Sequence, residues 1–176
     1  MNNMIQLSRV YQLALECGVL RKKDIINWCD RVIESRDTFP YEIIEVSLMA
    51  SSETDSIIDK LTQIGYGINY DDRYLVKLVL SIIQYKNQCC NLTLEEGIRC
   101  TEKLIVQTKL WDEYDFRSLY LLGDDYDLAK DCVMYSMQEI TEKFSEEMAA
   151  FRQFSSDLMM IHQEVLGVEW TMKTLI

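Results

Sequence analysis

Asp24-Ile25-Ile26-Asn27-Trp28-Cys29-Asp30-Arg31-Val32-Ile33-Glu34-Ser35-Arg36-Asp37-Thr38-Phe39-Pro40-Tyr41-Glu42-Ile43-Ile44-Glu45-Val46-Ser47-Leu48 sets the architecture of the chain. Ile25, Trp28, Cys29, Val32 and Ile33 recur at i, i+3, i+4, i+7 and i+8, the stripe that a helix buries. Pro40 is the only proline of the chain. It stands where a first helical turn tolerates a missing N–H, so a second helix is expected to start near it. Ile43, Ile44, Ser47 and Leu48 are expected to pack back on the first helix. The result is a helix-turn-helix hairpin, a scaffold that carries no chemistry.

Toward the N-terminus, Ile5, Leu7, Val10, Tyr11, Ala14 and Leu15 form a broad apolar face over residues 3–17, closed by Gly18 at the position that favours left-handed backbone. Arg21-Lys22-Lys23 then opposes the positive end of the next helix, and only Asp24 complements it. The basic triplet is expected to contact acidic groups elsewhere or to serve as a contact patch. Beyond Leu48, Ile57, Ile58, Leu61 and Ile64 make a short stripe ended by Gly65 and Gly67. The run Leu75 to Ile83 is apolar nearly all round, which predicts a central helix from Asp72 to about Lys86; its length and Lys77 weigh against a buried strand. Thr93-Leu94-Glu95-Glu96 has the form of a capping box and opens a helix ending near Trp111. A short helix is predicted over 115–122, closed by Gly123, with the next starting at Asp124-Asp125. From Val133 to Val168 a heptad-like seam predicts two antiparallel helices, 125–150 and 156–174, in preference to one long rod.

At 176 residues and 48% hydrophobic content the chain can bury a real core. Six glycines and one proline disfavour the many turns of a sandwich or barrel. The expected fold is all-α: an irregular bundle of about eight helices built from successive hairpins, in a single helical domain over 1–176. A short α-solenoid is the second choice, since no fixed repeat is visible.

The formal net charge of −11 excludes sequence-independent affinity for nucleic acid or an anionic membrane, because both require cations to neutralise phosphates. A basic protein partner suits it better. Residues 89–176 hold 17 Asp+Glu against 8 Lys+Arg and residues 1–88 hold 12 against 10, which makes the second half the expected contact surface. The N-terminal stretch has no charged region followed by an apolar core, and no run approaches a membrane span, so the chain is expected in the cytosol (cytoplasmic). Its six cysteines then read as thiols: Cys17, Cys29, Cys100 and Cys132 as small core residues, Cys89-Cys90 as a vicinal pair. Without a CxxC and with one histidine, no metal and no cofactor are expected.

Tyr70-Asp71-Asp72, Asp112-Glu113-Tyr114-Asp115 and Asp124-Asp125-Tyr126-Asp127 are the distinctive local features. Tyrosine gives contact area at low entropic cost and carboxylates pair with Arg and Lys, so such clusters suit a protein-binding surface. Asp112, Tyr114, Asp115, Asp124, Asp125, Tyr126 and Asp127 are therefore the candidate partner-binding residues; their plainer role is helix capping. An EF-hand is excluded, because Lys130 and Ser136 stand where Gly and Glu are needed. His162 forms no evident dyad, and neither a serine triad nor a phosphate loop is present. The chain is read as no enzyme, with a carboxylate-based hydrolase as the distant alternative.

Leu15-Glu16-Cys17-Gly18-Val19-Leu20, Asp24-Ile25-Ile26-Asn27-Trp28-Cys29-Asp30 and Pro40 to Ser47 resemble the N-terminal part of small, uncharacterised bacterial all-helical proteins. The resemblance covers about the first fifty residues and includes no catalytic motif. Proteins of this general appearance include immunity proteins of bacterial toxin systems, which implies an acidic helical domain that plugs a basic toxin. The expected function is thus a non-enzymatic binding protein, most concretely an immunity-type inhibitor, as a monomer or small homo-oligomer. The alternative is an adaptor or assembly module that self-associates through the Val133 to Leu175 seam.

Overall fold

The computed structural model describes residues 2–89, 91–169 and 171–175; Cys90, half of the expected vicinal pair, lies outside them. The fold is all-helical, with nine α-helices, 74% helical content and no strand among the described residues. No helix there is long and apolar enough to cross a membrane. The chain forms two compact units, Met1–Asp71 with Ser156–Ile176, and Asp72–Ser155.

The first unit holds α1 (Asn2–Cys17), α2 (Lys22–Ser35), α3 (Tyr41–Ser47), α4 (Thr54–Ile64), most of α9 (Phe154–Leu166) and a closing 3-10 turn, Met172–Leu175. Gly18 ends α1 at φ +90°, and its N–H reaches the Leu15 carbonyl at 3.1 Å. Asp24 caps the start of α2, its carboxylate accepting the Arg21 N–H at 2.8 Å. As the periodicity predicts, Ile25, Trp28, Cys29 and Val32 are buried, and α2 packs on α3. The α3 face differs from expectation: Ile43 and Val46 are buried, whereas Leu48, the helical C-cap residue, is exposed. Among the described residues no ion pair joins the basic triplet to a distant carboxylate. Lys22 donates to the Ser52 carbonyl at 2.8 Å, and Arg21 stands 3.8 Å from its own Asp24. α1 closes the ring by packing on α4, which also meets α3.

The second unit holds α5 (Asp72–Gln88), α6 (Leu94–Thr108), α7 (Tyr114–Lys130) and α8 (Met137–Ala149). Each helix packs on the next and α8 returns to α5, so these hairpins close on themselves instead of propagating as an open solenoid. α5 is buried nearly all round. The Thr93 box forms as predicted, with the Thr93 N–H donating to Glu96 at 2.8 Å and the Glu96 N–H to Thr93 Oγ1 at 3.2 Å.

Three predicted boundaries are corrected here. Gly123 does not end a helix: α7 runs through it from Tyr114 to Lys130, so Asp124 and Asp125 lie mid-helix. The space left by its missing side chain is taken by the end of the Glu102 side chain of α6, a carboxylate oxygen of which would stand 2.9 Å from a Cβ there. The predicted 125–150 helix is broken after Lys130, where Cys132 adopts φ +56° and Ser136 caps α8 in a second box with Glu139. The seam is then interrupted again before Phe154, and the predicted 156–174 helix ends at Leu166. Cys132 is exposed and no core residue, while Cys17, Cys29 and Cys100 are buried as expected. Much of the seam is consumed inside the fold: Ile140, Phe144, Phe151, Leu158, Ile161 and Val165 are buried.

Candidate protein-binding groove

On α7, the residues Phe116, Leu119, Leu122, Gly123, Tyr126 and Ala129 face inward. Tyr114, Arg117, Leu121 and Asp124 share the outer side at i, i+3, i+7 and i+10. Tyr114 is 95% exposed and Leu121 43% exposed, about two helical turns apart. Beside them a groove of about 720 Å³ runs between the first half of α7 and the turn joining α8 to α9, reached by Lys77 of α5.

Aromatic packing fixes its floor. Phe151 stacks on Phe116 at 6.4 Å between centroids and 16° between planes, and lies 6.4 Å from Phe154. Lys77 Nζ sits 5.9 Å from both the Phe116 and Phe154 rings and 2.6 Å from an Asp115 oxygen. That cation is held on three sides, which stiffens the inner wall. Ser118 Oγ donates to Glu147 at 2.8 Å, tying α7 to α8, and Arg73 pairs with Glu113 at 2.6 Å.

The seven candidate residues separate into two groups. Asp115 is paired with Lys77, Asp125 with Lys143 at 2.6 Å, and Asp127 with Arg99. Tyr126 is 5% exposed, with Arg99 and Lys130 at 5.7 and 5.8 Å from its ring. Burial, then a hydrogen bond donated to Glu95, raises the Tyr126 hydroxyl above its usual range. The bond from Lys130, then that from Tyr126, lowers the Glu95 carboxyl. These four candidate side chains bind the unit to itself. Tyr114, Asp112 and Asp124 face solvent, and among the described residues neither Asp112 nor Asp124 forms an ion pair.

Arg117, Leu121, Phe151 and Phe154 belong to the groove and are absent from the candidates that the sequence suggests. Arg117 and Leu121 lie within the helix that the sequence predicts over 115–122, but they fall between the acidic clusters from which the candidates are drawn. The acidic excess is also redistributed by the fold. The first unit carries 14 Asp+Glu against 8 Lys+Arg and the second 15 against 10, so neither is the acidic half. No group of three or more metal-ligating side chains assembles among the described residues. No protein-family model, curated protein or solved structure matches this chain.

Proposed function

We propose that this chain is a non-enzymatic protein-binding domain that engages its partner through the outer side of α7 and the adjoining groove. The observation that carries the reading is Tyr114, a large aromatic side chain 95% exposed at the edge of an aromatic-floored groove, with Leu121 two turns along. Exposed aromatic anchors beside a concavity hold complexes together, and surrounding charge steers encounter. Asp112 and Asp124 near that edge and the net charge of −11 favour a cationic partner. The most concrete form of the reading is an immunity-type inhibitor of a basic toxin, which the resemblance of the first fifty residues also implies.

The test is purification from the native host, identification of the bound protein by mass spectrometry, and kinetics with the pure pair. Tyr114→Ala should weaken binding by about 2 kcal/mol, roughly thirtyfold, mainly through faster dissociation. Unchanged kinetics in a folded Tyr114→Ala protein would return α7 to a scaffold role. A second reading, self-association, draws on Val133 and Met134, which are 65% and 66% exposed in the turn before α8. Sedimentation of the pure chain separates the two readings.

A further inference from the structure

The first unit contains a cavity that the protein-binding reading does not use. It has a volume of about 830 Å³, within the ~300–1,000 Å³ range of small-molecule sites. Its floor is apolar and buried, made by Met4 and Ile5 of α1, Ile64 of α4 and Val165 of α9. The half-buried Phe39 and Pro40 supply a wall from the connection between α2 and α3.

The rim holds two charges of opposite sign, Arg36 and Glu164. Arg36 is fixed by the backbone: its Nε donates to the Val165 carbonyl at 2.5 Å, and one Nη to the Glu164 carbonyl. These are C-terminal carbonyls of α9, which lack helical partners and carry the negative end of the dipole, so the cation is held there at little entropic cost. Two of its donor nitrogens are thereby committed and the other Nη remains. The Glu164 carboxylate is engaged by the Asn3 side-chain amide, which ties it to α1. Arg36 is exposed to solvent, and a preorganised guanidinium at the edge of an apolar floor matches a carboxylate attached to a hydrocarbon body, because the bond it makes is charge-assisted.

We propose that this cavity binds a small amphipathic carboxylate, its apolar body on the Met4, Ile5, Ile64 and Val165 floor and its carboxylate on Arg36. The experiment titrates the full chain with decanoate and with decanol, which shares the hydrocarbon body and lacks the charge. Calorimetry gives affinity and amide chemical shifts give position. Decanoate should saturate one site, shift the amides of the cavity floor, and bind about tenfold more tightly than decanol, the value of one charge-assisted hydrogen bond. Arg36→Gln should bring decanoate down to the decanol level. Glu164→Gln keeps an acceptor for Asn3 and removes the like charge, so it should tighten decanoate and leave decanol unchanged. Because Arg36→Gln also removes a cap of α9, the Glu164→Gln result decides if that variant unfolds. Equal affinity for the two probes, shifts mapping away from the floor, no saturation at millimolar ligand, or a Glu164→Gln variant with unchanged preference would overturn the proposal.

Discussion

The imidazole of His162 should make the folded chain lose stability as the pH falls below about 6.5. His162 is 1% exposed, its Nε2 lies 3.3 Å from the Tyr11 hydroxyl, and the two rings meet edge-on at 5.6 Å. Burial, reinforced by the positive charge of Arg31, pushes its pKa down from 6.5 to about 3. The unfolded imidazole takes up a proton near pH 6.5, whereas the folded one refuses it until about pH 3. Between those values the unfolded state binds more protons, so each pH unit of acidification removes about 1.4 kcal/mol. At about pH 4.5 the loss from this single group is about 2.7 kcal/mol. The carboxyls whose pKa is lowered act in the same direction, beginning about one pH unit above their usual 4.5: Glu96 is held down by the Thr93 N–H, Glu139 by the Ser136 N–H and Glu95 by Lys130. The window from about 6.5 to about 5.5 therefore isolates the histidine. Urea unfolding across that window, with hydrogen exchange of α1 and α2 amides to report on the first unit, measures the slope. The imidazole resonances are unambiguous because the chain has one histidine. His162→Phe keeps an aromatic ring against Tyr11 and should flatten the slope, whatever its own stability. A folded-state titration near the ordinary histidine pKa, or a His162→Phe protein with the wild-type slope, would contradict this account.

Trp28→Ala should destabilise by roughly 3–5 kcal/mol in denaturant unfolding, since the indole is buried and packs against Tyr11 with ring centroids 4.6 Å apart. Two helical glycines should respond in opposite ways to alanine. At Gly97 the new methyl meets the buried Phe144 ring at 3.1 and 3.2 Å, so overpacking of about 1–3 kcal/mol outweighs a propensity gain of about 1 kcal/mol. At Gly123 it meets only the end of the Glu102 side chain, which can swing away, so thermal unfolding should show little loss or a small gain. Replacing Asp112 and Asp124 by Asn should slow association with a basic partner and flatten its salt dependence while dissociation stays the same, as stopped-flow mixing at several ionic strengths would read.

The features legible in the residues alone are local ones. The α2 stripe, the start of α3 at Pro40, the all-round apolar α5 and the Thr93 box depend on interactions within about four residues, and each stands where the residues place it. Ser136-Met137-Gln138-Glu139 carries the same signal as the Thr93 box and marks the start of α8, although the seam running through it suggests continuity. Everything else follows from which distant faces meet, and that is settled only when the chain packs. Gly123 reads as a terminator until Glu102 of the neighbouring helix fills the space that its missing side chain leaves. Asp115, Asp125 and Asp127 look alike in the chain; their engagement is set by Lys77, Lys143 and Arg99, which lie 38, 18 and 28 residues away. Tyr114 and Tyr126 stand in similar acidic clusters, yet at 3.6 residues per turn they fall on different sides of one helix, so the first faces water and the second is buried against two cations. The partnership of Tyr11 with His162 spans 151 residues, and no periodicity within either helix encodes it.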